Sequence, residues 1–244
     1  MMMKKLPFRE RGALWFAWRK KNTVVTGSAL GAILGVSPYM SRWKYFELRT
    51  GRTSWKERER KLSHPQTQVR IQHGNRFEDR AIREYERYMG CRVERPGLCL
   101  SPDNSKIAAT PDGYVPETKT VVEIKCPYQK IHNWPPPPTY IAQTLVEAHV
   151  TGAERIHLVS FLIDPDTQQW EMNIMKYAMP EDLWYNEIIP EIEDFIARVE
   201  GRIPPPPTRC SGMKKKWTRI LQEGVIFRGS HRVKSNSNNN NNGR

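Results

Sequence analysis

Residues 111–125 read Pro-Asp-Gly-Tyr-Val-Pro-Glu-Thr-Lys-Thr-Val-Val-Glu-Ile-Lys, a turn signal followed by an apolar, strand-like run that a β-hairpin would accommodate. Glu123 and Lys125 alternate with Ile124 at the end of an apolar run. A strand therefore puts both charged side chains on one face while Ile124 enters a core. Pro116-Glu117-Thr118 is a natural place for the chain to turn back. A hairpin closed there brings Asp112 beside Glu123. Two carboxylates and an ammonium at one spot form a hard-cation site with a water-positioning or proton-transferring group beside it. The same residues also have an ordinary explanation. Pro-Asp-Gly is a common turn signal, and Glu-x-Lys is a common solvated strand face. The rest of the chain has to decide between the two.

The periodicities around this stretch alternate between helix and strand. A basic, aromatic helix is expected over 8–22, and a short apolar helix over 29–34 with Ser28 as its N-cap. Ser37-Pro38-Tyr39 breaks that helix, and a further one over 42–49 stops at Gly51. Phe77, Ala81, Ile82 and Tyr85 recur at helical spacing in 68–89, with Gly90 as the stop. Strand-like segments follow at 92–100, 106–110, 113–115 and 121–125. After the proline run 135–138 comes a helix over 139–150, then a hairpin of 156–163 and 169–177 around Asp164-Pro165-Asp166. A last amphipathic helix covers 180–200. This order predicts an α/β layered domain with one central mixed sheet flanked by helices. The expected division is a domain over 1–201, a basic and partly ordered extension over 202–234, and a disordered asparagine-rich tail over 235–244.

Composition narrows the partners. With 38% hydrophobic and 27% charged residues the chain can bury an ordinary core. No apolar run is long enough to span a bilayer, and the first residues lack the apolar stretch of a signal peptide, so an intracellular protein is expected. Cys91, Cys99, Cys126 and Cys210 are scattered without C-x-x-C spacing, which argues against a zinc site or a disulfide framework. The net charge of +13 points to a polyanion. From Arg202 onward ten basic residues face one acid, a net +9, which leaves +4 for residues 1–201. The body is mildly basic, and the C-terminal segment carries the excess. Its Lys214-Lys215-Lys216-Trp217 offers phosphate and stacking contacts, or serves as a solubilising or targeting segment.

Three further features line up with the central hairpin. Glu78 sits in Gly74-Asn75-Arg76-Phe77-Glu78 on the helix before the sheet. Tyr140 and Gln143 open the helix after it. Trp15-x-x-x-Arg19, followed by Thr26-Gly27-Ser28, places a guanidinium and a hydroxyl where a phosphate is readily bound. With Leu34-Gly35-Val36-Ser37-Pro38-Tyr39, Pro111-Asp112-Gly113 and Val122-Glu123-Ile124-Lys125-Cys126-Pro127, these strings resemble the phage lambda exonuclease and YqaJ-type viral recombinase family of the PD-(D/E)xK nuclease superfamily. The resemblance covers about residues 15–200.

The resemblance implies a restriction-endonuclease-like core and a Mg²⁺-dependent nuclease, with Mn²⁺ able to substitute. Asp112, Glu123, the backbone carbonyl of Ile124 and Glu78 would hold metal. Lys125 would orient or deprotonate the attacking water, its pKa lowered by cationic neighbours against the pull of the carboxylates. Gln143, accompanied by Tyr140, would position Lys125, the water or a phosphate. Arg19 and Ser28, with Thr110 and either Lys130 or His132, would bind a terminal 5′-phosphate. The implied activity is 5′-to-3′ digestion of linear duplex DNA, leaving 3′ single-stranded tails for recombination by single-strand annealing. The implied partners are double-stranded DNA ends, an annealing protein and other copies of the chain, as a trimer. For a viral protein, the implied location is the host cytoplasm or nucleus. An endonuclease on the same core, a non-catalytic DNA-binding recombination partner and RNA hydrolysis stay open.

Overall fold

The computed structural model describes residues 3–7, 12–22, 24–54, 56, 60, 62–206 and 211–235. In chain order the elements are β1 (Lys4–Leu6), α1 (Ala13–Asn22), β2 (Val25–Thr26), α2 (Gly27–Ile33), α3 (Arg42–Thr50), α4 (Pro65–Met89), β3 (Leu98–Leu100), β4 (Ile107–Ala109), β5 (Gly113–Val115), β6 (Thr120–Lys125), α5 (Pro138–Thr151), β7 (Arg155–Ile163) and β8 (Trp170–Ala178). A composite helix α6 follows (Glu181–Leu183, Trp184–Ile188, Ile189–Gly201), then α7 (Ser211–Gly224) and β9 (Phe227–Lys234). Residues 8–11 of the first expected helix and 236–244 of the asparagine-rich tail lie outside the described residues. Ser235 lies within them, and its hydroxyl accepts from the Trp170 amide at 2.9 Å.

The strands divide into two sheets where one was expected. One runs β1-β3-β4-β2 and the other β5-β6-β7-β8-β9. The break falls at Thr110-Pro111-Asp112, between β4 and β5. Pro111 has no N–H to continue a ladder, and β5 pairs antiparallel with β6 instead. The expected strand over 92–100 shrinks to β3 because Pro96-Gly97 interrupts it, leaving Glu94 in an isolated bridge to Tyr114. In the larger sheet β6 runs parallel to β7, and α5 provides the crossover.

Alternation along β6 decides which residues reach which layer. Val121 belongs to the core under α2, α3, α5, α6 and α7, with Ile156, Leu158, Met175 and Tyr177 from the neighbouring strands. Val122 and Ile124 point the opposite way, into the core under α4 with Phe77, Ala81, Ile82 and Tyr85. Glu123 and Lys125 therefore face the α5 layer at the end of the strand. α3 starts at Ser41, whose hydroxyl accepts from the Lys44 amide, and it ends at Gly51 with φ 73°. Gly90, at φ 63°, ends α4 in the same way. α2 departs from expectation: it begins at Gly27, its N-cap is Thr26 without a side-chain cap bond, and Ser28 is already in the first turn. α6 is interrupted by a π-turn at Trp184–Ile188, because Pro190 has no N–H to bond one turn back. Among the described residues no helix is long and apolar enough to cross a membrane.

Candidate active site

The hairpin forms as its sequence requires. Asp112 lies immediately before β5, and its Oδ2 accepts the Ile124 N–H at 2.8 Å, which ties the first carboxylate to the end of β6. Gly113 is not needed for a positive φ. It is a strand residue at which a Cβ would come 2.3 Å from Val93 Cγ1, so glycine there permits close packing.

Glu123 is almost fully buried, at 2% exposure. Its Oε1 accepts from Lys125 Nζ at 2.5 Å and from Gln143 Nε2 at 2.6 Å. Gln143 Oε1 accepts from Lys125 Nζ at 3.1 Å, and its Nε2 also donates to Glu147 Oε1 at 2.8 Å. One amide thus joins an ammonium and two carboxylates, which fixes which end is oxygen and which is nitrogen. Tyr140, one turn earlier on α5, places its ring 4.9 Å from Lys125 Nζ. Glu78, on α4, is 3.5 Å from Arg95 and close enough to raise the Asp112 and Cys126 pKa values. It pairs with Arg95, while the neighbouring Arg80 binds Glu84.

Glu147 was not singled out by sequence reasoning. It is 1% exposed and stands one helical turn after Gln143, and that four-residue spacing was the available signal. Gly27 is the reason α2 can start against this face of α5: a Cβ there would lie 3.1 Å from Glu147 Oε1 and 3.3 Å from Gln143 Cγ.

The electrostatics follow from crowding acids out of water. Burial raises Asp112 well above the ordinary carboxylate range, and Glu123 and Glu78 push it further. Burial, then repulsion from Glu147, raises Glu123 to about 8; burial, then repulsion from Asp112, does the same to Glu147. Burial pulls the Lys125 ammonium down, but Glu123, Asp112 and Glu147 outweigh it and hold the group above its ordinary range. This corrects the expectation of a lysine lowered by cationic neighbours: the charges acting on it are carboxylates.

The hydrogen bonds leave Glu123 Oε2 and Glu147 Oε2 buried with no partner. Oxygen donors that are buried, mutually repelling and incompletely bonded suit a hard divalent cation that keeps part of its water shell. Among the described residues no three His, Cys, Asp or Glu side chains come together as a group that could hold a metal ion by themselves.

The residues expected to take a terminal phosphate divide into two groups. Trp15 Nε1 donates to Thr110 Oγ1 at 3.2 Å, and the Arg19 guanidinium lies over the Trp15 ring at 4.1 Å. Arg19 is thereby held beside Thr110, two residues before Asp112. Ser28 is exposed, next to the Gly27 that abuts Glu147. Lys130 is exposed in the loop after β6. His132 of that loop turns inward, with its ring 5.3 Å from Tyr140 and its pKa lowered by burial and by Lys125.

An alkaline exonuclease from Laribacter hongkongensis (LHK-Exo) superposes with a TM-score of 0.60 at 26% identity, covering 86% of this chain and 100% of that one. The same enzyme in complex with dAMP gives 0.59 at 26% identity, with the same coverage. The fold is of the restriction-endonuclease-like type those structures carry. No curated protein sequence matches the chain. A YqaJ-like viral recombinase domain is matched over residues 14–154, more than half of the chain and the part that holds Arg19, Glu78, Asp112, Glu123, Lys125, Gln143 and Glu147, and the chain accordingly belongs to that family.

Proposed function

We propose that this chain is a metal-dependent exonuclease that degrades one strand of linear duplex DNA from its 5′ end, leaving a 3′ tail for recombination by annealing. Family membership and the alkaline-exonuclease fold make it a nuclease. The observation that carries the metal-dependent reading is the buried acidic cluster with its two unpartnered oxygens, Glu123 Oε2 and Glu147 Oε2.

Asp112, Glu123 and the backbone carbonyl of Ile124 would hold Mg²⁺, with Glu78 and Glu147 bound directly or through its waters. When bound, the ion would lower the pKa of a ligated water and neutralise charge on the scissile phosphate. Lys125 keeps its proton among the carboxylates, so its task is to donate hydrogen bonds to the attacking water or to a phosphate oxygen. Gln143 holds the ammonium and both carboxylates in register. Arg19, braced over Trp15, would pair with the two charges of a terminal phosphate, which an internal phosphodiester lacks. Double-strand ends, an annealing protein and other copies of the chain are the partners this reading implies.

The test uses purified protein with Mg²⁺, Mn²⁺ or EDTA and three substrates: 5′-phosphorylated linear duplex, 5′-hydroxyl linear duplex and closed circles. Mononucleotides should leave the first fastest and the circles not at all, with no cleavage in EDTA. Cutting of closed circles would replace the exonuclease by an endonuclease, and cleavage in EDTA would remove the metal. Lys125→Ala should cost about 10³-fold or more in turnover while duplex binding persists. Arg19→Ala should erase the preference for phosphorylated ends.

A further inference from the structure

The chain's excess charge lies in a part that the hydrolytic cluster does not use. Three observations place it. First, the segment from α7 to β9 is built into the molecule, with Trp217, Leu221 and Val225 between 0% and 5% exposed in the core shared with α5 and α6. β9 pairs with β8 along its length.

Second, the starts of both α7 and β9 touch loops that lead toward the acidic cluster. At the start of α7, Met213 Sδ is 3.5 Å from where a Gly35 Cβ would be, just before Ser37-Pro38-Tyr39. Tyr39 is 83% exposed and lies near enough to Tyr140, the ring over Lys125, to add to the rise in its pKa that burial causes. At the start of β9, Phe227 stacks on Trp134 at 4.3 Å, in the loop that carries His132. The register also runs straight across the sheet: Lys125 is opposite Ser160, Ser160 opposite Asn173, and Asn173 opposite Arg232.

Third, the charge is not internally neutralised. Arg219 pairs with Glu223, and Arg232 and Lys234 share Glu171. Among the described residues Lys214, Lys215 and Arg228 are exposed and have no carboxylate partner. Across the cleft between α6 and α7, Glu191 and Asp194 are bound by Arg42 and Arg198, which leaves Glu187 to offset Lys216.

We infer that the α7–β9 segment is a docking surface for the phosphate backbone of duplex DNA, set beside the mouth of the acidic cluster. The identity of the polyanion rests on the nuclease reading, whereas the surface itself rests on its own geometry. Phosphate contacts of this kind carry no sequence information and fix where the duplex lies. They would hold the substrate between successive cleavages while the end is consumed.

The triple variant Lys214→Gln/Lys215→Gln/Arg228→Gln tests this on the full chain, since all three side chains are exposed and none lies in the cluster. Binding of a 5′-phosphorylated duplex of about 30 base pairs is measured in EDTA over a salt series, with thermal unfolding as the folding control. Each lost phosphate contact should flatten the log–log salt slope by about 0.9, so about 2 to 3 in all, and affinity near physiological salt should fall about 10-fold or more. On the same duplex with Mg²⁺, KM should rise while kcat holds. An unchanged slope and affinity in a normally folded variant would overturn the proposal, as would a wild-type chain without measurable duplex affinity. Loss of the nuclease reading shows separately, as binding without cleavage in any metal.

Discussion

At the scale of single residues, Glu147 separates function from stability most cleanly. It is buried beside two other acids: burial and then Asp112 raise its pKa, and it in turn raises that of Glu123. Glu147→Gln keeps the shape and removes one charge from the crowd. It should raise the melting temperature while lowering turnover about 10²-fold, the opposite movements expected of a group kept for its chemistry. A residue kept only for packing would leave both nearly unchanged. His157 carries a pH dependence away from the cluster. Its Nδ1 is 2.6 Å from the Tyr85 hydroxyl, and burial first, then Lys176 and Arg155, lower its pKa to about 3. Between about 6.5 and about 3 the unfolded chain takes up a proton that the fold refuses, so stability falls as pH falls, by about 1.4 kcal/mol per unit. Urea unfolding near pH 7 and near pH 5 should show a smaller loss in His157→Gln than in the parent; equal losses would assign the acid sensitivity elsewhere.

Among the elements, the β5–β6 hairpin depends on a contact that no side-chain list would suggest. Gly113→Ala sets a Cβ against Val93 and should cost about 1–3 kcal/mol, with most of it recovered when Val93→Ala is added. Additive costs in that double variant would mean the clash is not the cause. What could be read in advance divides along the same line. α4, α5, β6 and β7 were legible because their apolar residues keep a helical or strand period and are buried accordingly. Ser28 as a cap was misread, since the bare Gly27 starts the helix against Gln143 and Glu147 far along the chain; the helix expected over 180–200 forms, with a π-turn that its periodicity did not announce. β1 and β9 are edge strands with basic, mostly exposed residues, and their pairing is supplied by tertiary contact with β3 and β8. Asp112, Glu123, Lys125 and Gln143 were legible as a group, and the hydrogen bonds bring them together. Glu147 was not, because a glutamate on a helix looks the same in sequence whether water or two other acids surround it.

For the whole molecule, the family match ends at residue 154, yet the core it begins is closed by parts beyond that point. Trp217 is 1% exposed among residues of α2, α5 and α6. Trp217→Ala should cost about 3–5 kcal/mol, comparable to a loss anywhere in the central core. A chain ending near residue 201 should unfold at lower urea and lose solubility; full stability in that shorter chain would show the segment to be an appendage. The division expected at Arg202 marks a change in charge and proline content rather than an edge of the packed interior.

Gln143 is the one member of the cluster that cannot change its charge. Every group it touches exchanges protons; the amide does not. Its nitrogen is directed to the two glutamates and its oxygen to the lysine. Turning it over would set –NH₂ against –NH₃⁺ and oxygen against oxygen. The amide therefore gives the cluster a built-in direction, its oxygen toward the ammonium and its nitrogen toward the carboxylates, while Lys125 and Glu123 also meet each other directly at 2.5 Å.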